Sequence, residues 1–280
     1  MATIVVKDLT FTYLGSKKPS ISDLTFSVDE GQFVILTGPS GCGKTSVCRC
    51  LNGLIPHFYS GELEGDVTVC GLSIREKSTS ELARRVGFVF QNPENQLFSL
   101  SVERDVAFGP ENLGLPRSET RKRVDWALEV TGISGLRYRA PYELSGGQQQ
   151  RAAIAAVLAM KPDVMVLDEP TSFLDPKSAV DILKVVHDLN ETLGMTIILV
   201  EHRLDLASQY ADRVIIMDKG ETILDGKPSE VLGEKARLIG VGIPRITLLA
   251  QLLQKDGLSF TSIPISVEDA SVAIRRLISS

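Results

Sequence analysis

Apolar runs of strand length recur along the chain, separated by stretches in which apolar residues return with helical spacing. Five of these runs are rich in β-branched residues and show no alternation of polar and apolar positions, as expected of strands covered on both faces. They occupy residues 32–38, 85–90, 164–168, 195–201 and 213–218. Helical patterns between buried strands favour βαβ crossovers. We therefore predict an α/β core with a mainly parallel sheet.

Three shorter segments, at residues 3–7, 24–28 and 66–69, alternate between apolar and polar side chains. Such alternation indicates strands with one buried face and one exposed face. We expect these strands to form a small antiparallel β subdomain beside the first helix.

Two regions depart from the α/β rhythm. A Gly/Pro-rich stretch at about 98–117 comes before a renewed helical pattern, and it predicts an inserted helical subdomain at about 92–160 within a first domain of residues 1–235. Two amphipathic helical patterns around a Ser/Pro turn follow at 243–280. They predict a small C-terminal extension formed by residues 236–280.

The chain has 280 residues, of which 43% are hydrophobic and 23% charged, and a formal net charge of −5. Nucleic acids and anionic lipid surfaces attract basic proteins, so this charge gives no reason to expect either as the main partner. No apolar run approaches the roughly 18 to 20 residues that span a bilayer, and the first residues lack the pattern of a signal peptide. We expect a cytoplasmic protein that binds no nucleic acid.

The four cysteines show neither CxxC nor Cys/His spacing, which disfavours a zinc site. They are also too few for a disulfide scaffold in a chain of this length. We interpret Cys42, Cys48 and Cys50 as small packing residues, because buried cysteines are commonly inert.

One glycine-rich segment fits the pattern GxxxxGK[ST] and lies between a predicted strand and a predicted helix, which is the context of a phosphate-binding P-loop. Its amide N–H groups turn inward around an anion, and the helix adds its positive dipole end. We expect Lys44 to lie near the β- and γ-phosphates and the Thr45 hydroxyl to reach Mg²⁺. The segment consists of Gly38, Pro39, Ser40, Gly41, Cys42, Gly43, Lys44 and Thr45.

The apolar run at 164–168 ends in two adjacent carboxylates, Asp168 and Glu169. Neighbouring residues on a strand face opposite ways, so the two groups cannot do the same work. We predict that Asp168 lies in the second coordination shell of Mg²⁺ and helps to hold the ion there. Glu169 is then free to orient or deprotonate the attacking water.

A second glycine-rich motif, Leu144-Ser145-Gly146-Gly147-Gln148, precedes another helical pattern. It again places a hydroxyl and glycines at a helix N-terminus. Because one nucleotide needs only one P-loop, we interpret this motif as serving a nucleotide held by another subunit, in a head-to-tail pair with two shared sites. On its own, the motif could be a helix cap with a flexible approach.

The P-loop, the paired carboxylates and residues 144–148 together resemble the ATP-binding subunit of ABC transporters, and the resemblance covers the chain to about residue 235. It implies a P-loop NTPase fold of the ABC ATPase type, ATP and Mg²⁺ as ligands, and an ATPase coupled to transmembrane transport. It also implies that Tyr13 stacks on adenine, Gln91 touches Mg²⁺ and water, Asp175 crosses the dimer interface, and His202 hydrogen-bonds the γ-phosphate.

The resemblance therefore extends the candidate site. The residues expected to take part in catalysis are Lys44, Gln91, Glu169 and His202. The residues expected to lie around Mg²⁺ are Thr45, Gln91 and Asp168. The residues expected to contact the nucleotide from the partner subunit are Ser145, Gly146, Gly147, Gln148 and Asp175.

The stretch from Gln91 to Gly114 is similar to one ABC subgroup, the ATPases of energy-coupling factor (ECF) transporters, and the tail after about residue 235 looks like their C-terminal extension. The resemblance implies an importer of vitamins or transition-metal ions. It implies three partners: a second ATPase subunit, identical or paralogous, a transmembrane scaffold (T) component and a substrate-specific (S) component. It also places the chain peripherally on the cytoplasmic face of the cell membrane.

Other functions fit the sequence less well. The nearest alternative is the ATPase subunit of another ABC importer that uses a substrate-binding protein. A soluble ABC-type ATPase acting on DNA or ribosomes is expected to carry long coiled-coil insertions or two cassettes, and a P-loop kinase or GTPase has no use for residues 144–148. A regulatory module without turnover is disfavoured by Glu169.

Overall fold

The computed structural model of the chain describes residues 2–258, 260 and 262–279. In this part of the chain the strands form two sheets, one of six strands and one of four. In chain order the strands are β1 (Ala2–Tyr13), β2 (Ile21–Asp29), β3 (Phe33–Thr37), β4 (Gly61–Val69), β5 (Leu72–Ser73), β6 (Val86–Val89), β7 (Val164–Asp168), β8 (Thr196–Val200), β9 (Arg213–Asp218) and β10 (Glu221–Gly226).

Helices lie between the strands and after the last strand, and they range from single turns to the 18 residues of α7. In chain order they are α1 (Lys44–Leu51), α2 (Leu54–His57), α3 (Thr79–Leu82), α4 (Val102–Asn112), α5 (Arg117–Val130), α6 (Gly146–Leu158), α7 (Pro176–Leu193), α8 (Leu204–Ala207), α9 (Pro228–Val231), α10 (Glu234–Leu238), α11 (Arg245–Lys255) and α12 (Val267–Ser279). Among the described residues, no helix combines the length and the apolar character needed to cross a membrane.

The six-stranded sheet has the order β10-β9-β3-β8-β7-β6. Its strands pair in parallel except for β10, which pairs antiparallel with β9. The predicted mainly parallel α/β core is therefore confirmed, and each of the five apolar runs forms one of its strands. The sequence pattern does not predict β10, because this strand lies at the edge of the sheet and alternates between exposed and half-buried residues.

The four-stranded antiparallel sheet has the order β2-β1-β4-β5, which confirms the predicted antiparallel β subdomain. Its strands are longer than the alternating segments indicate. At Asp8 the backbone has a φ of +48°, and the pairing with β2 shifts register between Val6 and Leu9. This bulge moves the buried positions from Ile4 and Val6 to Leu9 and Phe11. Because the alternation resumes out of phase, the pattern predicts only the first half of β1.

Successive residues of the central strand β3 belong to two separate apolar clusters. Phe33 and Ile35 pack with the helical side of the molecule, including residues of α4 to α7. Val34 and Leu36 pack with α1 and the antiparallel sheet. Both faces of the parallel sheet are therefore covered, as the unbroken apolar runs predict, and each buried aliphatic side chain contributes roughly 1.5–3 kcal/mol by leaving water.

The inserted helical subdomain consists of α4, α5 and α6, which lie between β6 and β7 in the sequence and pack against one another. The Gly/Pro-rich stretch forms a helix here, since Gly109 and Pro110 lie within α4. A Cβ atom at Gly109 would come within 2.6 Å of Met160, so glycine permits this close packing. After α10 the chain adds α11 and α12, which confirm a small C-terminal appendage. The boundaries at residues 92–160, 1–235 and 236–280 stay predictions.

Candidate functional site

The predicted P-loop joins the carboxyl end of β3 to the N-terminus of α1. Gly38 and Gly43 have φ values of +148° and +109°. A Cβ atom would lie 2.0 Å from the Met217 carbonyl oxygen at Gly38 and 2.3 Å from the Ser20 carbonyl oxygen at Gly43. Only glycine fits at these two positions. No side chain caps α1, so the backbone N–H groups of its first turn are free to bind an anion.

Lys44 begins α1 and is only 5% exposed. Its ammonium donates hydrogen bonds to the carbonyl oxygens of Gly38 at 2.9 Å and Pro39 at 3.0 Å. These partners are neutral, and they hold the charge inside the loop where the phosphates of a nucleotide would lie. The arrangement fits a phosphate ligand, because none of these partners of the ammonium is a carboxylate that would compete with the phosphate.

Asp168 is the last residue of β7 and is 6% exposed. Burial raises the pKa of its carboxyl group, while a hydrogen bond with Thr45 lowers it. Its Oδ1 atom is buried without a hydrogen-bond partner. An orphaned carboxylate oxygen beside a threonine hydroxyl suits a hard cation, and Mg²⁺ is commonly bound by one or two carboxylates together with substrate phosphates. The residues present therefore fit Mg²⁺.

Glu169 follows directly and has a φ of +49°. Its Oε2 atom accepts hydrogen bonds from Gln91 Nε2 and from the Ser172 hydroxyl, both at 2.9 Å. Its Oε1 atom lies 3.1 Å from His202 Nε2. The three predicted residues Gln91, Glu169 and His202 follow β6, β7 and β8, and parallel pairing brings the ends of these strands to one edge of the sheet.

Glu169 also borders the cavity above the P-loop, which links the carboxylate cluster to the loop. The residues that line this cavity are Ser20, Ser40, Gly41, Gly43, Lys44, Thr45, Ser46 and Glu169. A general base placed beside a phosphate-binding loop can act on water that attacks a terminal phosphate. The structure thus brings together the predicted P-loop, metal-binding and catalytic residues.

Residues 145–148 form the N-terminus of α6. The Ser145 hydroxyl accepts a hydrogen bond from Gln148 N at 3.4 Å, and Gln148 Oε1 accepts one from Ser145 N at 3.0 Å. This reciprocal pair is a capping box. Within the described part of the chain, none of these four residues lines the cavity above the P-loop. Gly146 instead borders a different cavity, together with Gln91 and Phe173.

Asp175 caps the N-terminus of α7. Its carboxylate accepts hydrogen bonds from the backbone N–H groups of Lys177 at 3.0 Å and Ser178 at 3.1 Å, and from the Ser178 hydroxyl at 2.5 Å. The hydrogen bonds from Ser178 hold the pKa of Asp175 below its ordinary value. These contacts lie within its own helix, and a contact with a second subunit stays a prediction.

Tyr13 ends β1, and its hydroxyl lies 3.0 Å from the Ser46 hydroxyl. It also accepts a hydrogen bond from Arg49 Nη1 at 3.0 Å. Both partners lie on α1. The tyrosine is thereby fixed next to the helix that follows the P-loop, and its stacking on adenine stays a prediction.

Sequence reasoning missed three serines of the site. Ser20 and Ser46 line the cavity above the P-loop and their hydroxyls lie 2.7 Å apart. Ser172 donates to Glu169. Ser46 directly follows the GxxxxGK[ST] pattern, so position alone could have indicated it. Ser20 comes from the antiparallel sheet side and carries no sequence signal.

The cysteines of the P-loop and of α1 agree with their interpretation as packing residues. Cys48 and Cys50 are fully buried, and Cys42 is 4% exposed. Burial raises the pKa of the Cys50 thiol to about 12. A thiol with so high a pKa is protonated at neutral pH and is a poor nucleophile.

The known proteins that this chain resembles agree with the geometry of the site. A family model described as ABC transporter matches residues 21–172, which is more than half of the 280-residue chain. The energy-coupling factor transporter ATP-binding protein EcfA1 of Clostridium perfringens is 41% identical over 278 residues, covering 97% of this chain and 97% of that protein.

Two solved structures are also similar. The structure of cbiO1 from Clostridium perfringens, described as part of the ABC transporter complex cbiONQ, has a TM-score of 0.76 and 35% identity over 90% of this chain and 99% of that one. The ATP-binding cassette MJ0796, as a dimer in a post-hydrolysis state bound to ADP and Pi, has a TM-score of 0.69 and 29% identity over 80% and 98%.

These similarities confirm the ABC ATPase fold class and the resemblance to ECF transporter ATPases. They agree with a P-loop, a strand-end carboxylate pair and a following histidine that lie at one edge of a parallel sheet. The chain therefore belongs to the ABC transporter ATP-binding family, and it is an ATP-binding ATPase coupled to transport across a membrane.

Proposed function

We propose that this chain is the ATP-hydrolysing subunit of an ECF-type importer of vitamins or transition-metal ions. The observation that carries the ATPase site is the contact of Glu169 with Gln91 and His202 at the border of the P-loop cavity. The ECF assignment is supported by the similarity to EcfA1 over nearly the whole of both chains. A subunit of an importer that uses a substrate-binding protein is the alternative.

Nucleotide binding begins at the uncapped N-terminus of α1. The phosphates of ATP accept hydrogen bonds from the backbone of residues 38–45, and Lys44 turns its ammonium from the loop carbonyl oxygens toward the β- and γ-phosphates. The ring of Tyr13 stacks on adenine. Thr45, Asp168 and Gln91 would hold Mg²⁺, which when bound neutralises charge on the phosphate oxygens.

Hydrolysis depends on Glu169. Its carboxylate accepts a proton from the attacking water, whose oxygen forms a bond to the γ-phosphorus while the bond to the β-phosphate oxygen breaks, giving ADP and phosphate. Gln91 and His202 already donate toward this carboxylate and orient it. His202 also hydrogen-bonds the γ-phosphate.

A second ATPase subunit completes each site. None of the described residues 145–148, at the N-terminal end of α6, lines the P-loop cavity of their own chain. In a head-to-tail pair this end binds the γ-phosphate held by the partner subunit, and Asp175 lies at the shared interface. ATP binding therefore draws the two subunits together, and the separation of ADP and phosphate lets them open.

The surface beside Gln91 is suited to receive the membrane partner. Phe98 is 67% exposed and packs edge-on against the half-exposed Phe108, with ring centroids 4.9 Å apart. Leu100 is also exposed. Exposed apolar groups in a cluster are typical of an interaction site. A transmembrane T component that docks here, joined by an S component that binds the cargo, would hold the ATPase on the cytoplasmic face of the membrane.

Co-purification tests this proposal. The tagged full chain is expressed in its native cell, extracted with its membrane companions in mild detergent, and the companions are identified by mass spectrometry. We expect a T component and a small S component. Recovery of a paired permease with an extracytoplasmic substrate-binding protein would instead assign the chain to the alternative importer class.

A further inference from the structure

Glu201 is a buried carboxylate at the end of β8, directly before His202. It is 1% exposed. Its Oε1 atom accepts hydrogen bonds from the backbone N–H groups of His202 at 2.9 Å and Arg203 at 3.0 Å. Its Oε2 atom accepts one from the Thr171 hydroxyl at 2.6 Å. A buried carboxylate is costly unless hydrogen bonds satisfy it, and here both oxygens are satisfied.

The contacts of Glu201 join three strand ends of the parallel sheet. Its backbone carbonyl oxygen accepts a hydrogen bond from the Thr37 hydroxyl at 2.8 Å, and Thr37 ends the strand that leads into the P-loop. Thr171 lies two residues after Glu169, just past the end of β7. Both threonines are also buried, at 1% and 0% exposure. The network is therefore shielded from water, where hydrogen bonds hold geometry firmly.

The chain that follows Glu201 is tied back to the same segment. Arg203 Nη1 donates a hydrogen bond to the Leu174 carbonyl oxygen at 3.2 Å. The segment from Thr171 to Leu174 leads into Asp175, which is predicted to lie at the subunit interface. Glu201 thus fixes the backbone of His202 on one side and the segment after Glu169 on the other side.

We propose that Glu201 is a positioning residue that holds the His202 ring at Glu169 and couples this pair to the segment after β7. The inference rests on the proposed role of His202 in hydrolysis. Glu201 touches neither the nucleotide nor water in this account, and it acts only through the geometry of its neighbours. Loss of its acceptors leaves two backbone N–H groups and one hydroxyl unpaired in the interior, and His202 then leaves its place beside Glu169.

Two pairs of variants separate this role from simple packing. Glu201→Leu keeps the approximate shape and removes both acceptor oxygens, whereas Glu201→Gln keeps one oxygen for the two backbone N–H groups. Thr171→Val removes the hydroxyl at nearly constant volume, whereas Thr171→Ser retains it. The Thr171 pair guards against a folding defect in Glu201→Leu. The purified full chain is assayed for steady-state ATPase with Mg²⁺, and thermal unfolding is recorded for each variant.

We expect Glu201→Leu to lower kcat on the order of 10- to 100-fold with an unchanged KM for ATP, because misplaced catalytic groups slow chemistry without weakening binding. Thr171→Val is expected to lower kcat as well, whereas Thr171→Ser keeps a kcat near that of the wild type. In a His202→Ala background, Glu201→Leu causes no further loss in single-turnover hydrolysis. A purely structural role would lower the activity of both backgrounds by the same factor and would overturn the proposal.

Two other results are informative. If His202→Ala is impaired while Glu201→Leu and Thr171→Val hydrolyse ATP like wild type, the positioning role is wrong and the proposed hydrolysis site stands. If His202→Ala itself retains wild-type kcat, the proposed role of His202 is wrong, and the positioning role that depends on it is wrong as well.

Discussion

The two glycine-rich helix ends of this chain differ in how their backbone donors are used. At α1, Gly43 precedes the helix and no side chain caps it, so the first N–H groups stay free. At α6, Ser145 and Gln148 form a capping box. The Ser145 hydroxyl, however, receives its hydrogen bond at 3.4 Å, which is long for such a bond.

This difference indicates an order of events. The α1 end has free backbone donors beside the cavity. To bind phosphate there, the Lys44 ammonium needs only to leave its neutral carbonyl partners. The α6 end is satisfied by itself and gives up only a weak hydrogen bond when a phosphate approaches. Under the proposed function, a nucleotide therefore binds first to α1, and the α6 end of a second subunit then adds to the loaded site.

The largest expected effect comes from Glu169→Gln, which leaves both helix ends intact and removes only the proton acceptor. We predict that kcat falls about 1,000-fold, since general base catalysis contributes about 10²- to 10⁴-fold. Affinity for ATP stays within a factor of two. Phosphate release and binding of a fluorescent ATP analogue measure the two quantities. Comparable loss of binding and turnover would show that Glu169 is needed for the shape of the site instead.

Gly43→Ala breaks the α1 end specifically. At a φ of +109° the new Cβ atom meets the Ser20 carbonyl oxygen at 2.3 Å, and strained backbone costs about 1–3 kcal/mol, so we predict ATP binding weaker on the order of 100-fold. The matched control is Gly146→Ala at the α6 end, where the nearest atom, on Leu174, lies at 3.4 Å. Calorimetric titration of the single chain with ATP should leave this control near wild type. Equal losses in both variants would erase the distinction between the two ends.

Ser145→Ala tests the α6 end. We predict about tenfold lower kcat, because a hydrogen bond to a phosphate contributes about 1–1.5 kcal/mol, together with about 1 kcal/mol lower stability from the lost cap. Binding of ATP to the single chain stays unchanged, since α6 does not line that cavity. Titration with ATP and urea unfolding measure these effects. Weaker ATP binding by the isolated subunit would place the serine at its own nucleotide.

Asp168→Asn is expected to have the smallest effect. It tests the site beside α1 when no ligand is bound. Burial raises the pKa of Asp168, so its ionised form is disfavoured in the folded state, and its contribution to stability falls as pH rises from the unfolded toward the folded pKa. At pH 7 the asparagine variant is therefore expected to unfold about 1–3 °C higher than wild type without nucleotide. It loses the stabilisation that Mg²⁺ with ATP provides. A scan at pH 7 that shows a lower Tm without ligand contradicts this interpretation.

The sequence predicts the α1 end well because a continuous segment of eight residues forms it. The parallel sheet is also predictable, since β3, β7 and β8 are unbroken apolar runs. The positions of the antiparallel strands are less predictable from the sequence, because the bulge at Asp8 reverses the alternation that identifies a strand.

Contacts between distant segments lie beyond what local pattern predicts. Glu169 and His202 meet because β7 pairs with β8, and only the family resemblance indicates that pair from sequence. Glu201 was missed for the same reason, because its partner Thr171 approaches from the end of another strand. Ser172 was missed although its contact with Glu169 is local, three residues apart in the chain. An acid directly after an apolar strand, as at Asp168, is the signal that could have drawn attention to Glu201.

The central claim is that two ATPase subunits enclose each nucleotide, with the α1 end from one and the α6 end from the other. The most direct test measures the mass of the Glu169→Gln variant by light scattering after size exclusion. The variant is saturated with Mg²⁺ and ATP, and any second ATPase that accompanies it from the membrane is kept in the sample. The account predicts a complex of two ATPase subunits that Ser145→Ala weakens. A single subunit with fully bound ATP would contradict it.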